Sequence, residues 1–151
     1  MRASLMLEAK QFDELVVHMT EVANEDPTSI NSVAWSVCEL HEAGNLNNAS
    51  VLNGATEACR IAVAKLNAKG NANDPALLDT LAHLYAATGQ TDIALVVQAK
   101  AVQALGPNPD PAMAKPVNSY MAELNQSAKP SGDDTAEKQT EEAIWQQVLK
   151  Q

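Results

Sequence analysis

The stretch DPALLDTLAHLYAATGQTDIALVVQAKAVQALGP, Asp74 to Pro107, decides the fold. Asp74 is a typical helix N-cap, and Pro75 suits the first helical position, where its missing N–H leaves no hydrogen bond unmade. Apolar residues then recur at helical spacing until Gly89, whose freedom to adopt a positive φ suits a helix C-terminus. A second apolar stripe follows and stops at Pro107. The stretch therefore predicts two amphipathic helices joined by a tight turn.

Seven positions of this stretch follow a repeat pattern of apolar, small and aromatic residues, a turn glycine and two small residues a heptad apart. They are Leu78, Leu81, Ala82, Tyr85, Gly89, Ala94 and Ala101. The pattern resembles the tetratricopeptide (TPR) repeat of bacterial helical-repeat proteins, whose period is about 34 residues. The closing proline, Pro107, comes one residue later than in that family. Small residues let helix axes approach closely, and Tyr85 suits the gap between them.

Composition agrees with a helical chain. The 151 residues are rich in alanine, only 3% are aromatic and β-branched alternation is nearly absent, which is typical of all-α proteins. The resemblance then implies antiparallel helical hairpins stacked as a short right-handed TPR-like solenoid, with about six or seven helices and a C-terminal capping helix. The expected boundaries are a repeat domain over 1–128, with pairs at about 1–27, 28–68 and 74–106 and a capping helix at 111–128, then a linker at 129–134 and a C-terminal helix at 135–151.

An internal match links the second pair to the third. Ala55-x6-Ala62 in the second pair repeats as Ala94-x6-Ala101. Gly54 falls within the helical pattern of the second pair and predicts a local kink. The first pair lacks the start of its first helix, so we expect this helix either to be short or to continue in a longer parent protein.

Charge excludes two classes of partner. The net charge is −9 and the pI is about 4.6, and no run of Lys or Arg builds the basic face that nucleic acids or anionic membranes require. No apolar run approaches the roughly 18 residues of a membrane-spanning helix, and the first residues lack the pattern of a signal peptide. We therefore predict no nucleic-acid binding and no membrane insertion. The expected location is cytoplasmic by default, or periplasmic for a fragment of a longer exported protein.

The sequence contains no catalytic constellation, so we predict that the chain is not an enzyme and uses no cofactor and no metal. The two cysteines, Cys38 and Cys59, are distant in sequence and form no CxxC motif. They suit two small buried hydrophobic positions, or a disulfide in an oxidising compartment. Asp79 and His83 are four residues apart and therefore share a helix face. We interpret them as a solvated polar pair.

The resemblance also implies a binding groove. In TPR proteins the first helix of each pair lines the concave face, and the matching positions here are Asn31, Trp35, Glu39, Asp79 and His83. Such a groove is polar and mildly acidic, which predicts a neutral or basic protein or extended peptide as partner rather than an acidic one. Trp35 suits this groove, and an aromatic residue in this register also suits the core. Both interpretations stay open at this point.

The last helix has its apolar residues late in its sequence, at Ile144, Trp145, Val148 and Leu149. A Trp on a terminal helix favours burial. We therefore expect this helix to pack, either within the chain or across a homodimer, rather than to remain a free tail.

Two functions follow from these patterns. The first is a non-catalytic scaffold that mediates protein–protein interaction through the concave groove or the terminal helix. The second is an accessory repeat region of a larger bacterial enzyme, because the LDTLA block at Leu78 also resembles repeats attached to thioredoxin-like domains. This chain lacks the CxxC motif of such domains, so the catalytic part of that enzyme would lie outside it.

Overall fold

A computed structural model describes residues 11–70, 74–127 and 134–150. For residues 134–140 it describes the backbone alone. These residues form seven α-helices and a short 3-10 turn, Pro27–Ser29, between the first two helices. The helices are α1 Phe12–Glu25, α2 Ile30–Glu42, α3 Ala49–Ala68, α4 Pro75–Ala87, α5 Thr91–Ala104, α6 Pro111–Ser127 and α7 Asp134–Leu149. No strand occurs in the described part of the chain, which confirms the all-α prediction. The expected first helix of the first pair falls in 1–10, outside the described residues.

Local sequence rules explain the α4–α5 hairpin. The Asp74 side chain accepts hydrogen bonds from the backbone N–H groups of Ala76, at 3.0 Å, and Leu77, at 3.4 Å, so it satisfies two donors that the first turn leaves without partners. Gly89 has φ +81° and ends the hairpin's first helix. Only glycine adopts this conformation without steric cost. The predicted two helices and turn are therefore present.

Helix α4 occupies the centre of the contacts between helices. Helices α2, α4 and α6 contact one another in that order, and α1 contacts α3. Helix α4 packs against α3 and α5, and α6 packs against α5. Helix α7 returns to lie against both α3 and α5. The surface made by α2, α4 and α6 is here called the first-helix face; the main contacts of α7 are with α3 and α5.

Small residues fill the helix contacts. Several alanines have no exposed surface at all: Ala34, Ala55, Ala58, Ala62, Ala82, Ala94 and Ala101. Leucine and valine side chains, among them Leu78, Leu81 and Val97, complete a single core cluster that extends from α1 to α7. A core of this composition depends on close approach of helix backbones rather than on large aromatic side chains.

Gly54 serves this close approach on α3. A Cβ atom at this position would lie 2.8 Å from both Cγ atoms of Val16 on α1, well inside van der Waals contact. Helix α3 runs as one element through Gly54. The glycine that predicted a kink therefore stands at a contact between helices.

Among the described residues, no helix combines the length and the apolar character needed to cross a membrane.

Candidate functional site

The structure brings three of the five predicted groove residues together on the first-helix face. Trp35 on α2 and His83 on α4 are in contact, with ring centroids 5.2 Å apart in an edge-to-face arrangement. Asp79 lies one turn before His83 on α4. Glu39 is exposed on α2. Trp35 is half-buried and packs against the core while keeping part of its surface open, so it belongs both to the core edge and to this face.

His83 lies between two carboxylates. Its Nδ1 is 2.8 Å from Glu42 Oε1 on α2, and its Nε2 is 3.7 Å from Asp79 Oδ2 on its own helix. The His83 side chain is 13% exposed and that of Asp79 is 14% exposed. The expected solvated pair is therefore mostly covered. Side chains from neighbouring helices cover the Asp79–His83 pair. The four-residue spacing within α4 does not predict which helices lie over it.

Tyr120 on α6 covers His83. The two rings stack with centroids 3.5 Å apart and planes within 8° of parallel. Burial raises the pKa of the Tyr120 phenol to about 12, and the charges of Glu42 and Asp79 add to this effect. Tyr120 is not among the predicted groove residues. The sequence does indicate that it faces a neighbouring helix, because Val117, Tyr120 and Leu124 are spaced to share one helix face.

Gln98 on α5 donates a hydrogen bond to Asp79 from the buried side of the face. Its Nε2 donates to Asp79 Oδ1 at 2.7 Å and to the Val117 carbonyl oxygen on α6 at 2.9 Å, and the residue has no exposed surface. Burial raises the pKa of the Asp79 carboxyl, while the Gln98 hydrogen bond and the nearby His83 oppose this rise. One buried amide therefore links α4, α5 and α6 directly beneath the face. The sequence signal for Gln98 was a polar residue within the apolar stripe of α5.

Asn31 is engaged in a contact between α2 and α4. Thr80 Oγ1 lies 2.6 Å from Asn31 Oδ1 and 2.9 Å from the Ala76 carbonyl oxygen. A hydroxyl has one proton, so the Thr80 O–H donates to one of these acceptors at a time. Asn31 thus helps to fix the two helices side by side. Glu39, Glu42 and Trp35 remain as the more accessible part of the face.

The two cysteines are buried and free within the described structure. The Cys38 thiol donates to the Thr80 carbonyl oxygen at 3.9 Å. Burial raises the pKa of Cys38 to about 12 and also raises the pKa of Cys59. Both thiols are therefore protonated near neutral pH, as small buried hydrophobic groups are.

The C-terminal helix packs on its own chain. Val148 is 1% exposed and Trp145 is 9% exposed, while Ile144 and Leu149 are partly buried against the same core. Lys100 on α5 places its Nζ 5.2 Å from the centre of the Trp145 ring, a cation–π distance. The residues that predicted an assembly helix are thus largely covered by α3 and α5.

Arg60 on α3 fastens the end of this helix. Its Nη1 donates to the Val148 carbonyl oxygen at 3.1 Å and to that of Lys150. Its Nε and Nη2 donate to the two carboxylate oxygens of Glu57, at 2.8 and 2.6 Å. A cleft of about 450 Å³ lies beside Arg60, between α3, the start of α5 and the end of α7. All three guanidinium nitrogens of Arg60 are engaged, so the arginine here serves to dock α7.

No three His, Cys, Asp or Glu side chains are arranged to hold a metal ion within the residues that the structure describes. Comparison with protein-family models, with curated proteins and with solved structures found no match to this chain.

Proposed function

We propose that this chain is a non-catalytic, TPR-like helical scaffold that binds a protein or extended peptide on the first-helix face. The order of helix contacts supports this architecture, because α4 contacts both α2 and α6, α3 contacts α2 and α4, and α5 contacts α4 and α6. The fully buried alanines at the anchor positions of the repeat pattern, such as Ala82, Ala94 and Ala101, also support it.

The observation that carries the proposal is the convergence of Trp35, His83 and Tyr120 from three successive helices of one face. Aromatic rings offer large contact area at little cost in side-chain entropy, and for this reason they are enriched at protein interfaces. Trp35 retains exposed surface there, and Glu42 beside it is 54% exposed. A partner laid across this face meets a partly apolar platform bordered by carboxylates.

The charge of the face selects the partner. Glu42 and Asp79 lie against His83, and Glu39 is exposed on α2, in a chain whose net charge is −9. An acidic peptide would place like charges together, whereas a neutral or basic peptide would not. The proposed partner is therefore a neutral or basic extended segment.

Nuclear magnetic resonance titration tests the proposal, because the chain has two tryptophans on different faces. Isotope-labelled protein is titrated with short extended peptides of basic, neutral and acidic composition. We expect the indole N–H signal of Trp35 to shift with a basic or neutral peptide and that of Trp145 to stay in place. The variant Glu42→Gln keeps the shape of the face and should weaken the basic peptide most. Absence of binding by all three peptides, or shifts confined to Trp145, would contradict the proposal.

A further inference from the structure

His83 is placed to act as a cation within the first-helix face. A neutral imidazole has a single N–H, so it donates to one carboxylate and presents a lone pair to the other. With Nδ1 hydrogen-bonded to Glu42 at 2.8 Å and Nε2 facing Asp79 at the ion-pair distance of 3.7 Å, only the protonated ring presents an N–H to both carboxylates. Protonation therefore turns both contacts into attractions between opposite charges.

We propose that His83 is a built-in counter-ion of this face, and that its protonation competes with a cationic side chain of the bound partner. The inference rests on the proposed function and adds the partner's chemistry, a lysine or arginine side chain beside Glu42 and Trp35, together with its regulation by pH. Such a side chain can reach the half-exposed Glu42 carboxylate and the exposed part of the Trp35 ring.

Imidazole is the side-chain group that ordinarily changes charge between about pH 5 and 8, and several other charged or titratable groups surround His83. Helix α2 contributes Glu39, Glu42 and the Cys38 thiol, α4 contributes Asp79, and α6 contributes Tyr120 and Glu123. The thiol and the phenol stay neutral in this range because burial raises the pKa of each to about 12. Burial raises the pKa of Asp79, so this carboxyl loses its charge at a higher pH than an ordinary aspartate, and this acts in the same direction.

The consequence is binding that strengthens as the pH rises. When His83 is protonated, its positive charge pairs with Glu42 and repels a second cation. When the ring is neutral, the carboxylates of Glu42 and Asp79 face the partner without a compensating charge. Two unit charges a few ångströms apart near a protein surface interact strongly enough to change an affinity by about tenfold. Reciprocity then requires that partner binding release a proton from the protein.

Fluorescence anisotropy with a defined probe tests this inference. The probe is a labelled short peptide of alternating arginine and serine, and its reference is a peptide of alternating glutamine and serine. Each is titrated with the full chain at about pH 5.5 and pH 8, on either side of imidazole titration. The variants are His83→Gln, which cannot charge, and His18→Gln on α1, which serves as the matched control.

We expect the arginine peptide to bind the native chain and His18→Gln about tenfold more tightly at the higher pH. The His83→Gln chain should bind it with little change between the two. Calorimetry in buffers of different ionisation enthalpy should show proton release by the native chain, a readout that needs no variant. An equal pH dependence in His83→Gln, or no proton release, overturns the inference. If the glutamine peptide binds at least as well as the arginine peptide, the inference fails while the proposed function stands. If neither binds and an acidic peptide does not bind either, both fail.

Discussion

Gly54 shows how a single residue sets the distance between two helices. Alanine favours a helix over glycine by about 1 kcal/mol, so helix propensity alone predicts that Gly54→Ala stabilises α3. The added Cβ would lie 2.8 Å from both methyl groups of Val16, and a β-branched side chain has few rotamers with which to move away. Overpacking costs about 1–3 kcal/mol. We therefore expect Gly54→Ala to lower the free energy of unfolding by about 1 kcal/mol, as measured by urea denaturation.

The partner residue provides the control for this substitution. In a Val16→Ala background the two methyl groups at 2.8 Å are absent and the nearest atom to the new Cβ is the Cβ of residue 16, at 3.3 Å, so most of the propensity gain should remain. Gly54→Ala should then stabilise the chain by up to about 1 kcal/mol. If the substitution has the same effect in both backgrounds, the two helices do not approach as closely as the structure places them.

Gln98 acts at the scale of elements, because its amide joins α4, α5 and α6. Replacing it with leucine removes both hydrogen bonds and leaves the Asp79 carboxylate, 14% exposed, without its donor. Loss of a partner for a buried polar group costs about 1–3 kcal/mol. We expect Gln98→Leu to lower the free energy of unfolding by this amount and to increase hydrogen exchange in α6. The control is Gln103→Leu on the exposed side of the same helix. Equal effects of the two variants would count against this role of Gln98.

The elements differ in how far the sequence predicts them. The α4–α5 hairpin follows from Asp74, Pro75 and Gly89, because caps and turns act on backbone groups only a few residues away. The meeting of Trp35 with His83 follows from the register of the repeat pattern. The cover supplied by Tyr120 and the bond from Gln98 depend on how α6 packs against α4 and α5. Local spacing does not encode that placement.

We expect the packing of helix α7 on α3 and α5 to depend mainly on one buried side chain, that of Trp145. Trp145 is 9% exposed against α3 and α5, and removing a buried Trp costs about 3–5 kcal/mol at most sites. Because α7 follows the other elements in sequence, we expect Trp145→Ala to release this helix while the rest of the chain stays folded. Hydrogen exchange should then increase in α7 and change little in α2 and α4.

The matched control for α7 is Trp35→Ala, which should disturb α2 and α4 and leave α7 protected. Light scattering on the native chain complements this test. If the chain dimerises and Trp145→Ala makes it monomeric, α7 contributes to assembly as well as to packing within one chain.

At the scale of the whole molecule, the buried phenols predict how stability changes in alkali. Burial raises the pKa of Tyr85 and of Tyr120 to about 12, from about 10 in an unfolded chain. Between about pH 10 and 12, the two tyrosines of the unfolded chain have lost their protons while those of the folded chain retain them. Stability is therefore unaffected by these groups below pH 10 and falls as the pH rises from about 10 to 12. Denaturant midpoints measured across this range should decrease together with the appearance of tyrosinate absorbance.

Tyr85 should account for the larger part of this alkaline loss. It is nearly fully covered, whereas Tyr120 is half-buried and its charge is better screened by water. The variant Tyr85→Phe keeps the ring and removes the titrating group, so near pH 11 it should retain on the order of 1 kcal/mol that the native chain loses. Tyr120→Phe should retain less. Since Tyr85 lies in the α4–α5 hairpin and Tyr120 in α6, the comparison shows which contact fails first in alkali. A larger rescue by Tyr120→Phe would mean that ionisation of the ring stacked on His83 costs more stability than ionisation of Tyr85, and would place the alkali-sensitive contact at α6.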